Sequence, residues 1–208
     1  MEDILDLYQQ PRDPKHPLLC MDEQPKQLVK ETRTPRRPTP GHPARVDYEY
    51  ERAGTANVFM FAAPLEGRRH TDVTEHRTAF DWAHQVRRLV DVRYPDAEVI
   101  RLVMDNLNTH SVASLYAAFP PDEARRIARK LDIHYTPKHG SWLNVAEIEL
   151  NALTRQCLER RIPDLLIMRT EVAAWEMHRN LAQTPVHWRF TTDDARIKLR
   201  TLYPKIEA

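Results

Sequence analysis

Two aspartates in the chain each close a short apolar run. Asp22 follows Leu18-Leu19-Cys20-Met21, and Asp105 follows Val99 to Met104 (VIRLVM). In open α/β sheets ligands bind at the carboxyl ends of the strands, so two strand-end carboxylates predict a site there. Side by side they repel unless a cation lies between them, and hard oxygen donors favour Mg²⁺ or Mn²⁺ over zinc. Either aspartate alone is more commonly a turn or cap residue; the pair carries more weight than its members. A third carboxylate is expected from the helix after Asn144. Its apolar stripe is Ala146, Leu150, Leu153 and Cys157, and Glu147 and Glu149 flank that stripe on opposite edges. Periodicity does not choose between the two. Glu147 also stands at capping-box distance from Asn144, which is a purely structural use for it.

Composition narrows the remaining chemistry. Only four glycines stand among 208 residues, and no phosphate-cradling loop, dinucleotide fingerprint or nucleophile elbow can be built from them. No nucleotide cofactor is therefore expected. Cys20 and Cys157 lie far apart and outside any CxxC, which predicts buried, reduced thiols in a cytoplasmic protein. The spread of His70, His76 and His84 over different elements argues against a zinc site. No apolar run is long enough to span a membrane. The formal net charge is only +1, yet Lys26, Lys30, Arg33, Arg36, Arg37 and Arg45 face Glu31 alone between Lys26 and Arg45. Pro25 just before this stretch and four prolines within it interleave with the basic residues. Extended, basic chain of this kind predicts contact with a phosphate backbone.

The elements that must position these residues follow from periodicity. A short helix over 2–10 leads into a proline-rich connector, and a buried strand runs from Leu18 up to Asp22. Alternation at Val46, Tyr48 and Tyr50, then strands at Asn57–Ala63 and Arg68–Thr74, read as an antiparallel meander, with Gly54 and Gly67 in its turns. From Thr78 the period becomes helical through Trp82, Val86 and Val90, until Pro95. A strand at Val99–Met104, helices near 111–118 and 122–131, a brief strand at Ile133–Tyr135 and a helix from Ser141 or Asn144 to about Arg161 come next. The last helix spans roughly 165–182. The order predicts an α/β fold, a mixed sheet flanked by helices. Its parts are an N-terminal helix and connector (1–17), a catalytic domain (18–182) and a C-terminal extension of that domain (183–208).

The carboxylates also lie in recognisable blocks. Cys20-Met21-Asp22-Glu23, then Val103-Met104-Asp105-Asn106-Leu107-Asn108-Thr109-His110, then Tyr135-Thr136-Pro137-Lys138-His139-Gly140-Ser141-Trp142-Leu143-Asn144-Val145-Ala146-Glu147 resemble the three catalytic blocks of IS630-type transposases. These belong with the Tc1/mariner group among DDE transposases, and the resemblance runs through almost the whole chain. It implies a ribonuclease H-like fold and a triad of Asp22, Asp105 and Glu147, choosing Glu147 because the family's glutamate follows the SWLN element by three residues. It further implies two Mg²⁺ (or Mn²⁺) ions per site, with Asp22 shared and Asp105 and Glu147 serving one ion each. Cleavage of DNA at transposon ends, joining of 3′-hydroxyl ends to target DNA at TA dinucleotides, action as a homodimer and a bacterial, nucleoid-associated location are implied in the same way. Two departures stand out. The spacing from Asp105 to Glu147 is longer than in much of the group, and the family's helix-turn-helix region is missing before the first block, which puts sequence-specific end binding and autonomous transposition in question.

Neighbouring residues receive their own readings. Asn106 and His110 are placed to support the metal ligands from behind, although capping or core roles suit them equally. Arg33, Arg36 and Arg37, with Lys138 and His139 just before the Glu147 helix, are the expected DNA contacts. Trp142 is expected in the core, with stacking on a flanking base as its alternative. Arg125, Arg126, Arg129 and Lys130 read as a solvated helix edge. Two rivals to the transposase reading remain, a nuclease of the same fold that never joins strands and a non-catalytic remnant that binds DNA or inhibits a full-length transposase.

Overall fold

A computed structural model describes residues 1–34, 38–43, 47–138 and 140–203. Five strands form one sheet in the order β3-β2-β1-β4-β5, with β1 Leu18–Glu31, β2 Tyr50–Ala63, β3 Arg68–Thr74, β4 Ile100–Met104 and β5 Leu131–Tyr135. Pairing of β1, β2 and β3 is antiparallel, while β1, β4 and β5 run parallel. Helices cover both faces, and the two faces have separate cores. One core joins Cys20, Met60 and Val103 to α1 (Glu2–Gln9), α5 (Val145–Leu153), α6 (Leu165–Leu181) and α7 (Thr192–Lys198). The other joins Met21, Phe59 and Met104 to α2 (Ala79–Arg88), α3 (Val112–Ala118) and α4 (Pro121–Arg129).

The α/β expectation is borne out, with one large correction. β1 does not end on Asp22; it continues to Glu31, antiparallel to β2 from Met60 back to Tyr50. Its pairing with β4 stops at Cys20, so beyond that residue β1 has no neighbouring strand on that edge among the described residues. Pro25, with no N–H to offer, is tolerated for that reason. The meander's first strand is therefore β1 itself and not Val46–Tyr50. Tyr48 lies in an exposed bend, and Val46 lies outside the described residues. Gly54, expected in a turn, sits inside β2 at φ +97°, where the β1–β2 register shifts. A bulge that needs positive φ is a natural place for glycine.

The helices agree closely with their patterns. Thr78 and Asp81 cap α2 reciprocally. Asn144 caps α5 by accepting from the Ala146 N–H at 3.1 Å. A π-helical turn, Thr154–Leu158, extends α5, and a single 3₁₀ turn, Ser141–Leu143, precedes it. α7 was not anticipated. It docks beside α1, with Arg196 bonded to Glu2 at 2.8 Å and Thr192 to Asp6 at 2.6 Å.

Candidate active site

Strand alternation decides which carboxylates meet. Successive residues of β1 face opposite sides of the sheet, so Asp22 shares the α5 face with Cys20, whereas Glu23 joins Met21 on the α2 face. The parallel register pairs Cys20 with Val103. Asp22 and Asp105 each lie two residues beyond that pair, and the charge of Asp105 is near enough to act on the Asp22 carboxyl. Glu147 arrives from the first turn of α5 and lines a cleft of about 820 Å³ together with Asp22, Asn151, Thr154 and Arg155. Asn144 holds that helix end in place by donating from Nδ2 to the Met21 carbonyl at 2.9 Å.

The site is electrostatically unbalanced. Burial pushes the Asp22 carboxyl up to about 7, and the nearby charges of Asp105, Glu23 and Glu147 add to the rise, against a hydrogen bond from the Glu23 N–H. Glu147 is exposed and makes no side-chain hydrogen bond or ion pair among the described residues, so the capping-box use of its carboxylate is not realised. The Glu147 carboxylate, bonded to no protein cation among the described residues, is left free to meet a cation from outside. No group of three or more His, Cys, Asp or Glu side chains among the described residues is gathered so as to hold a metal ion. A closed cage is not what Mg²⁺ requires, since it is commonly held by one or two carboxylates together with water and substrate oxygens. Asp22, Asp105 and Glu147 fit that donor set.

Behind Asp105 lies a buried histidine. His110 Nδ1 is 2.6 Å from Asp105 Oδ1, and Nε2 is 3.0 Å from Glu23 Oε2, off the line of a hydrogen bond. Burial pulls the ring's pKa down, but the two carboxylates outweigh it and raise it to about 9. Trp82 stacks on the ring, and the His110 carbonyl accepts from the Tyr135 hydroxyl. This fixes one oxygen of Asp105 and leaves the other open. Glu23 was not singled out from sequence, yet it is as close to the site as His110. Asn106 is exposed and has no hydrogen bond among the described residues.

The second α5 glutamate has a different environment. Glu149 is buried, 2.6 Å from Arg69 and 3.3 Å from Arg179. Burial raises its pKa, but the two arginines overcome this and leave it lowered. Arg69 in turn bonds the carbonyls of Gly67 and Thr184. Gly67 itself has φ +66° and no room for a Cβ against the backbone of 183–185.

The expected DNA contacts divide. Arg33 is exposed and 3.4 Å from Asp47, and Lys138 is exposed in the turn before Gly140. Arg36, Arg37 and His139 lie outside the described residues. Lys26 is turned inward, donating to the Leu158 carbonyl at 2.6 Å. Trp142 is not in the core; it is 39 % exposed and stacks on Trp188. Both cysteines are free, Cys20 buried and Cys157 half-buried.

Residues 17–168 match the domain described as DDE superfamily endonuclease. The chain belongs to that superfamily. Its fold is shared with the Mos1 strand transfer complex, at a TM-score of 0.57 and 15% identity over 85% of this chain and 51% of that one. The Mos1 mariner paired-end complex with Mn also has a TM-score of 0.57, at 16% identity over 93% of this chain and 60% of that one. This chain thus spans between half and three-fifths of the length of those transposase chains. At such identity the likeness establishes the ribonuclease H-like fold. No curated protein matches. No helix among the described residues is long and apolar enough to cross a membrane.

Proposed function

We propose that this DDE endonuclease domain is the catalytic domain of an IS630-type transposase, cutting DNA phosphodiesters at transposon ends and joining the freed 3′-hydroxyls to target DNA. What supports the proposal is that Asp105 and Glu147, from separate segments, come near enough for their charges to push up the buried Asp22 carboxyl, with Asp22 and Glu147 lining one cleft. These three residues would hold two Mg²⁺ or Mn²⁺ ions, Asp22 shared and the others serving one each. When bound, such ions supply charge stabilisation at phosphorus and a more acidic attacking hydroxyl.

The remaining work belongs to the chain's own residues. His110 holds Asp105 in one orientation, and Asn144 holds the start of α5 against β1. The basic residues Arg33, Arg36, Arg37, Lys138 and His139 supply backbone contacts to DNA. The working assembly is a homodimer on transposon ends and target in a bacterial, nucleoid-associated setting.

The test is an assay on supercoiled plasmid and on end-bearing oligonucleotides with Mg²⁺, Mn²⁺ or EDTA. Nicking and joined products that require metal and disappear in Asp105→Asn are expected. Equal nicking by that variant overturns the site, and cutting without joining replaces the transposase with a simple nuclease. DNA binding without cutting under any metal favours the non-catalytic remnant.

A further inference from the structure

The α5 helix separates two grooves. One is the carboxylate cleft, lined by Asp22, Glu147 and Leu150. The other, about 590 Å³, runs past Ser141, Trp142, Ile148 and Gln156. Glu147, Asn151 and Arg155 line both, so these three side chains form the ridge between them. Four-residue steps keep them along one side of the helix.

Arg155 is unlike its basic neighbours. Arg160 pairs with Glu171 at 2.7 Å, Arg161 with Glu31 at 2.5 Å, and Lys26 is spent on a carbonyl. Arg155 is exposed and has no ion pair or hydrogen bond among the described residues, and it is the one cation lining the acidic cleft. An unengaged guanidinium beside a carboxylate cluster is suited to an anion that enters the cleft from outside.

The second groove has an aromatic wall. Trp142 lies nearly parallel to Trp188, with centroids 6.3 Å apart and planes 16° apart, and Phe190 meets it edge-on at 5.7 Å. Trp188 packs in turn on Tyr8 at 4.8 Å. Backed in this way, the exposed part of the indole is a fixed platform, and Ile148, 51 % exposed, adds apolar surface beside it. A planar ring for Trp142 and an anion for Arg155 together describe a nucleotide. The ring must be unstacked, because a base inside a duplex shows only its edges.

We propose that this groove holds an unpaired nucleotide of the DNA strand next to the cut site, its base on Trp142 and its phosphate on Arg155. The inference rests on the reading of the carboxylate cleft as a DNA-cutting site. Binding is to be measured by fluorescence anisotropy in EDTA, on the full chain, with blunt duplexes and with duplexes carrying three unpaired nucleotides at either end. Wild-type protein should favour a flanked duplex by about tenfold, the scale of one stacked base. Arg155→Ala should weaken that preference and make the logarithmic salt dependence shallower by about 0.7, one single-strand phosphate. Arg155→Lys should keep the salt slope. A flank carrying 5-iodouracil should photocrosslink to Trp142 in the unmodified protein, which avoids any loss of folding. Equal affinity for flanked and blunt duplexes, an unchanged Arg155→Ala, or crosslinks confined to other residues overturns the groove. Adding Mn²⁺ to wild-type protein and the same DNA separates the two readings. Flank preference without cutting overturns the endonuclease and leaves the groove, whereas cutting without flank preference overturns the groove alone.

Discussion

Glu147 and Glu149 sit on the same helix, two residues apart, and their surroundings are opposite. Glu149 is buried between Arg69 and Arg179, so its charge is cancelled by the protein itself. Glu147 faces a cleft it shares with Asp22 and has no protein cation bonded to it. The first arrangement ties α5 to β3 and α6 and belongs to the fold. The second leaves an anion for something the chain does not contain. The difference lies in the counter-charge, not in the residue type or in the helix that carries it.

That contrast can be broken in several places. Glu147→Gln should lower metal-dependent cutting by about 10³-fold or more, the scale of losing a cation's stabilisation of the transition state, with the urea unfolding midpoint essentially unchanged. Glu149→Gln should do the reverse. Leaving Arg69 buried beside a neutral amide should cost about 3–5 kcal/mol in urea unfolding, and what protein remains folded should still cut. Replacing the pair together, as Arg69→Met with Glu149→Leu, should recover most of that loss, because no buried charge is then left alone. If the double variant is no better than Glu149→Gln, the pair is not the source of the cost.

A third glutamate gives a smaller effect and a pH signature. Glu176 on α6 accepts from the Thr71 N–H at 2.7 Å and from its hydroxyl at 2.5 Å. Burial raises its pKa, but His70, whose Nδ1 lies 3.9 Å away, and the hydrogen bonds from Thr71 outweigh this and lower it. A lowered native pKa contributes stability above the ordinary carboxylate range, and the contribution fades as pH falls through the native value. Glu176→Gln should therefore cost about 1.5–3 kcal/mol at neutral pH. The gap from wild type should close in acid, as read by urea unfolding across a pH series.

Much of this layout was legible in the residues. Apolar runs ending on Asp22 and Asp105 and the helical stripe around Leu150 placed three carboxylates near one sheet edge. Periodicity alone left Glu147 and Glu149 undecided, because what separates them is Arg69, a β3 residue distant in the chain. The length of β1 was hidden by Pro25 and by lysines at positions that alternate in exposure, features that read as loop. Lys26 looked like a DNA contact because its partner, the Leu158 carbonyl, belongs to a turn formed far downstream. α7 had a local signal, the Thr191–Asp194 capping box, that went unread. The Trp142 platform depends on Trp188 and Phe190 folding back across α1, which no local pattern announces.

The central claim is that Asp22, Asp105 and Glu147 form a cation site while Glu149 does not belong to it. Calorimetric titration of Mn²⁺ into wild-type protein, Asp105→Asn and Glu147→Gln tests this without DNA and without turnover. The account predicts saturable binding by wild type and at least about tenfold weaker binding by each variant, with unfolding midpoints near wild type. Wild-type affinity in Glu147→Gln would contradict it.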